Sequence, residues 1–257
     1  MNNYNFDWSF FGSIIPQMLH GLLVTLEITV IVIVLSMLLA VPLAVARMTK
    51  IEVIRWVAQG YIEIFRCTPL LVQLFWIFYA LPVLLGITLP GFLSAVIALT
   101  ANLTAFMAEA YRSGFQAVPV EQVEAGQMLR LSRVQQLRYI IVPQALKQQI
   151  PVILSLNISL FKDTALVATI AVPDLMFTAN TLSAQSYKAL EVFTLAALIY
   201  FVIAFPASLI TSHIERRSQL AGQRGAKTGP SLMSRMLPGT KVRDVEEIAE
   251  EKAEAKV

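Results

Sequence analysis

The chain has 257 residues, of which 56% are hydrophobic and 14% charged; 20 basic and 17 acidic side chains give a formal net charge of +3. A soluble domain carries about 25% charged residues, so this composition excludes an ordinary soluble globular protein. A single cysteine, Cys67, and two histidines, His20 and His213, exclude a disulfide framework, a cysteine-based metal site and any histidine-cluster motif.

The charges are unevenly placed. Ile214–Val257 holds 16 of the 37, while Ile28–Ala46, Cys67–Ala108 and Val192–Ile214 hold none. One bilayer crossing needs about 20 apolar helical residues. The pattern therefore predicts an all-α polytopic membrane protein with about five transmembrane helices and a charged tail.

Taken in chain order, residues 1–21 contain no Lys or Arg and form an N-terminal segment. The first apolar run has no basic region before it and is too long for a signal peptide, so it is expected to be retained and to span. It is placed at about Leu22–Ala46. The 42-residue uncharged stretch is too long for one helix, and Leu81-Pro82 and Leu89-Pro90-Gly91 mark a turn within it. Two crossings are expected there, near Cys67–Leu81 and Gly91–Ala108. A fourth lies within Ile140–Val172, interrupted by Lys147, Pro151, Lys162 and Asp163, and a fifth is expected at about Val192–Ile214. The transmembrane domain thus runs over 22–214. The tail, 215–257, has no apolar face worth burying and is expected to be disordered.

Of the 20 basic residues, 18 fall on one side of this arrangement; only Lys162 and Lys188 fall on the other. The positive-inside rule then places the N-terminus outside and the C-terminus inside. The same rule accounts for the basic balance without nucleic acid.

The connection Glu109–Pro143 is long and amphipathic. Val120, Val123, Leu131, Val134 and Leu137 recur at helical spacing, with Glu121, Glu124, Arg130, Arg133 and Arg138 on other faces. Such a stretch either rests on lipid headgroups or docks in the groove of a soluble partner.

Glu124-Ala125-Gly126, followed by Ile140-Ile141-Val142-Pro143, resembles the EAA loop of ABC importer permeases. Gly126 stands for the motif's second alanine, and Arg130 stands where its glycine is expected. A positive φ at Arg130 would cost about 1 kcal/mol; the alternative is a turn shifted to Gly126. Phe65-Arg66-Cys67-Thr68-Pro69-Leu70-Leu71-Val72-Gln73 is similar to the F-R-G-T-P-L-L-V-Q of polar amino-acid importer permeases, with Cys67 read as a small packing residue. Ala108–Arg112 and Phe161–Val167 are also similar to stretches of that family.

The resemblance implies a coupling loop, about 112–143, that meets an ATPase. Glu124, Ala125, Gly126, Arg130, Arg133 and Pro143 are its candidate residues, with Glu124 foremost. Arg130 and Arg133 either pair with the partner or hold the loop on anionic lipid. Lys162, Asp163 and Thr164 are candidates for the substrate pathway, because ionisable residues within a span usually face a pathway; the bland reading puts the two charges at the outer interface. Glu63 and Arg66, i and i+3 on a helix, are expected to pair locally.

The chain has no Walker A motif, so it is not expected to be an enzyme or to hold a cofactor. ATP and Mg would be bound by a separate ATPase dimer. The resemblance further implies a periplasmic or surface amino-acid-binding protein, a homodimer or heterodimer with a second permease, and a bacterial cytoplasmic (inner) membrane location. The competing reading is an ATP-independent channel or secondary transporter.

Overall fold

The computed structural model describes residues 6–227, with side chains for 6–216 except Arg133. The chain divides into two units at Glu215 and Arg216. The described residues are helical, with no strand among them: α1 Trp8–Met48, α2 Glu52–Cys67, α3 Leu70–Leu85, α4 Gly91–Gln116, α5 Val120–Met128, α6 Val134–Ile170, α7 Leu175–Ser186 and α8 Ala189–Lys227. Four of these (α1, α4, α6, and α8 over Ala189–Arg216) are long and apolar enough to cross a membrane, and α2 with α3 is a bent pair apolar enough only when the two are taken together, as a broken span or a re-entrant loop.

Between helices in lipid there is no hydrophobic driving force of the kind that operates in water, so association depends on close packing and interhelical hydrogen bonds. The α1 sequence supplies both. Its buried stripe is Gly21, Thr25, Ile28, Val32, Ser36, Ala40 and Ala44, spaced at threes and fours and mostly small. Ser36 Oγ donates to the Thr100 carbonyl of α4 at 3.3 Å. Helix α4 is the central span and buries its own small residues, among them Ser94, Ala95, Ala98, Ala105 and Ala108. At Gly114 a Cβ would lie 2.4 Å from Gln149 Cγ and 3.1 Å from the Ala145 carbonyl, so only glycine lets α6 approach α4 there.

The helix that contains the first apolar run begins well before it, at Trp8. Asp7 caps α1 by accepting from Ser9 N and Phe10 N, and Ile14 and Met18 are buried, so much of 1–21 belongs to the same helix as the first apolar run. A helix start is set by its cap and not by its first long apolar run.

The second crossing also differs. Thr68 precedes a proline and is extended, as the steric clash with the proline ring demands. The chain therefore bends by 110° between α2 and α3, and neither half is a straight crossing by itself. Helix α3 carries a π-turn over Trp76–Ala80 and ends on Gly86 at φ 65. At the other end of the chain the described backbone is helical to Lys227, within the expected tail; residues 228–257 of that tail lie outside the described residues.

Candidate coupling loop and interhelical cleft

Helix α5 ends at Met128 with a Schellman cap. Arg130 sits at φ 55, its N–H donates to the Gln127 carbonyl at 2.8 Å, and Leu131 N–H donates to the Gly126 carbonyl at 3.1 Å. The left-handed position that usually calls for glycine is therefore occupied by Arg130. Gly126 is helical, and the turn is not shifted to it. Gly126 has another reason to be small: a Cβ there would meet Ile140 Cδ1 at 2.8 Å and Gln136 Cγ at 3.3 Å.

The next helix opens with a capping box. Ser132 N–H donates to Gln135 Oε1 at 2.8 Å, and Gln135 N–H donates to Ser132 Oγ at 3.3 Å. Gln136 is buried and donates to the Leu131 carbonyl at 2.9 Å, closing the turn from within. Gln144 donates to Gln122, tying α5 to α6. The connection is thus a built element, with each end of the turn hydrogen-bonded.

What it presents outward is mixed. Glu124, Ala125, Arg130 and Pro143 are all exposed, and Glu124 has no ion-pair or hydrogen-bond partner among the described side chains. Met128 is 85% exposed and Leu129 75%, so the tip carries apolar knobs beside the acid. The Arg133 side chain lies outside the described residues. Just before the loop, Arg112 Nε donates to Glu109 Oε2 at 2.9 Å in a two-pronged pair that stiffens the last turns of α4.

The second candidate lies between α3, α4 and α6. Asp163, Ser159 and Asn102 share a cleft of about 210 Å³ with Leu70, Leu103 and Phe106. Lys162, about 100° further round the helix, is exposed and is not among the cleft residues. Thr164 is fully buried, and its hydroxyl donates to the Phe161 carbonyl at 2.7 Å.

Asn102 joins this cleft to the break in the second span. Gln73 Nε2 donates to the Phe65 carbonyl at 2.9 Å, the Thr68 carbonyl at 3.0 Å and Thr68 Oγ1 at 2.8 Å. Asn102 Nδ2 donates to Gln73 Oε1 at 2.9 Å and to the Phe65 carbonyl at 3.1 Å. Carbonyls freed where α2 ends are thereby satisfied without water, as the membrane interior requires. The expected Glu63–Arg66 pair does not form. The Arg66 guanidinium lies 5.7 Å from the Phe106 ring centre, and Glu63 is approached by the exposed Cys67 thiol at 3.5 Å. Cys67 is not the packing residue expected, because the bend turns it outward.

Sequence reasoning overlooked two clusters. Lys188 Nζ lies 2.7 Å from Asp7 Oδ2 and 4.5 Å from the Phe10 ring centre, with buried Glu191 accepting from Asp7 N at 3.3 Å. Asp174 is fully buried and caps α7. The pattern Val172-Pro173-Asp174 before an apolar run was a helix-start signal, but the partners on α1 are too distant in sequence to have been read from it.

Long apolar helices packed around a small cleft that holds Asn102, Ser159 and Asp163, with an exposed helical loop, are the architecture of a multi-span membrane protein. The chain belongs to the binding-protein-dependent transport system inner membrane component family, which matches residues 33–219. It is 33% identical to the glutamate/aspartate import permease protein GltK of Escherichia coli O6:H1, over 84% of this chain and 99% of that one. It is 39% identical to the L-cystine transport system permease protein TcyB of Bacillus subtilis, over 79% and 86%. Among solved structures, a crystal structure of an amino acid ABC transporter with histidines superposes with a TM-score of 0.78 at 34% identity, covering 83% of this chain and 100% of that one. The inward-facing MetNI methionine ABC transporter shares the fold, with a TM-score of 0.63 at 19% identity.

Proposed function

We propose that the chain is the membrane-spanning subunit of an ATP-driven importer for polar or charged amino acids, in a bacterial inner membrane. What carries this reading is the family match together with the loop: an acid at Glu124 and apolar knobs at Met128 and Leu129, all exposed on a hydrogen-bonded helical turn. An ATPase dimer supplies the groove for those knobs and a cation for Glu124, and it alone binds ATP and Mg. The positive-inside distribution supports an N-out, C-in orientation, which turns the loop toward the cytoplasm and the Lys188 end toward a binding protein. A second permease copy or relative completes the pathway.

Substrate passes by the Asp163 cleft. Its one acid and two neutral polar groups, Asn102 and Ser159, suit an ammonium or amide donor, and its apolar walls fit a side-chain stem. Movement of the ATPase pair pushes α5, and α6 carries that displacement to Asp163 along one helix. The two access states then exchange because substrate and ATP bind them with different affinities. Arg130, Arg133 and Pro143 shape or flank the docking surface, Lys162 steers from beside the cleft, and Thr164 anchors α6 just after Asp163.

Uptake by reconstituted complexes tests the assignment. Asp163→Asn is expected to raise the substrate concentration needed for half-maximal uptake at least tenfold while basal ATPase activity persists. Unchanged uptake with unchanged selectivity in Asp163→Asn would remove the cleft from the pathway. Uptake that proceeds with no ATPase subunit present would overturn the importer reading itself.

A further inference from the structure

Asp174 takes no part in the loop or the cleft, yet it is a fully buried acid. Its Oδ1 accepts from Phe177 N at 2.8 Å as the cap of α7. Its Oδ2 is buried with no hydrogen-bond partner among the described residues. The packing around it is close: a Cβ on Gly21 of α1 would stand 2.8 Å from the Asp174 carbonyl, and Thr178 Oγ1 donates to that carbonyl at 2.8 Å.

Hydroxyls of the neighbouring elements lie near this cap. From α1, Thr25 Oγ1 accepts from Leu175 N at 3.1 Å. From α6 comes buried Thr164. From α8 comes Tyr200, whose hydroxyl is likewise buried and unpartnered, near Thr25 and Thr164 and within the field of the Asp174 carboxyl. No charged side chain contributes to the surroundings of Asp174. Glu27 on α1, with Lys162 and Asp163 before Thr164, is exposed, and Lys188 and Glu191 at the start of α8 engage Asp7. A fully buried carboxylate with one oxygen unpartnered among the described residues and no charged side chain facing it neutralises instead of remaining ionised.

We propose that the Asp174 carboxyl is a buried site for one proton, held between α1, α7 and α8 near the Tyr200 hydroxyl. The reaction is simple proton binding: Asp174 carboxylate takes up a solvent proton and releases it when the site ionises. Burial outweighs the stabilising backbone N–H groups and pushes Asp174 up to about 6. The stabilising effect of the proton is therefore complete below the ordinary value of 3.8 and is lost as pH rises through about 6. Above that, the ionised carboxylate must admit water or a cation, which loosens α7 from α8.

Infrared difference spectra of the full-length chain in nanodiscs, titrated with acid and base, read the proton directly. The expected result is a carbonyl band of a protonated carboxylic acid that disappears with a midpoint near 6. It is absent in Asp174→Asn, in which asparagine keeps the helix cap, and moves in frequency in Tyr200→Phe. If Asp174→Asn does not fold, the wild-type titration and the Tyr200→Phe shift carry the test. An acid band titrating only near the usual carboxylate value of about 4 overturns the proposal. So does a wild-type spectrum with no such band.

Discussion

Leu131 N–H reaches back over Arg130 to the Gly126 carbonyl at 3.1 Å, and this bond, closed across a residue at φ 55, sets the shape of the loop. The strained position is paid for by two captured carbonyls and by the capping box that follows. Substituting Arg130→Gly removes the Cβ clash and is expected to stabilise α5 by about 1 kcal/mol. Arg130→Val is expected to destabilise it by more, because a branched Cβ is worst in the left-handed region. Hydrogen exchange of the α5 amides checks both; equal protection in the two variants would refute the cap.

Gly114 and Gln149 make the closest glycine contact in the described structure. Because the Ala145 backbone also lies within 3.1 Å, a side chain at 114 cannot be accommodated by a rotamer change alone. Gly114→Leu is expected to destabilise the folded protein by about 1–3 kcal/mol. The thermal unfolding midpoint in detergent should fall accordingly.

Gln73 and Asn102 act as one unit at the break between α2 and α3. Gln73→Leu leaves the Thr68 carbonyl without its side-chain donor and is expected to cost about 1–3 kcal/mol. The double variant with Asn102→Leu should cost clearly less than the sum of the two singles, because both serve the Phe65 carbonyl. Additive costs would show that the two amides hold the bend independently.

Asp7 is held at about 2 mainly by the hydrogen bond from Lys188, helped by Ser9. A depressed carboxyl contributes stability that is full above its ordinary value of 3.8 and is lost as pH falls through about 2. Hydrogen exchange in the first turn of α1 should therefore rise over that window. Lys188→Met should move the rise toward the ordinary value. A rise at the same pH in both proteins would deny the pair any role.

The crossings were legible because charge is expensive in lipid: the uncharged runs marked α4 and α8, and the loop motif was found in register. The break at Thr68-Pro69 was visible as a proline, but its 110° angle depends on Gln73 and Asn102 meeting across 29 residues. Capping by Asp7 was hidden for a similar reason, since its ion partner Lys188 is 181 residues away. Arg130 is the instructive case. The motif exposed it as the wrong residue for a left-handed turn, and the backbone takes that turn with it nevertheless. Asp174 was passed over because a single acid after a proline reads as an ordinary cap, and nothing local shows that α1 and α8 bury it.

In the proposed importer, an ATPase subunit drives this chain through the exposed acid of α5. Glu124→Lys, assembled with its ATPase subunits and compared with wild type for substrate uptake per ATP hydrolysed, tests it most directly. Uptake is expected to fall tenfold or more, with weakened retention of the ATPase subunits on purification and the Asp163 cleft still able to bind substrate. Uptake per ATP equal to wild type, with the subunits fully retained, would contradict it.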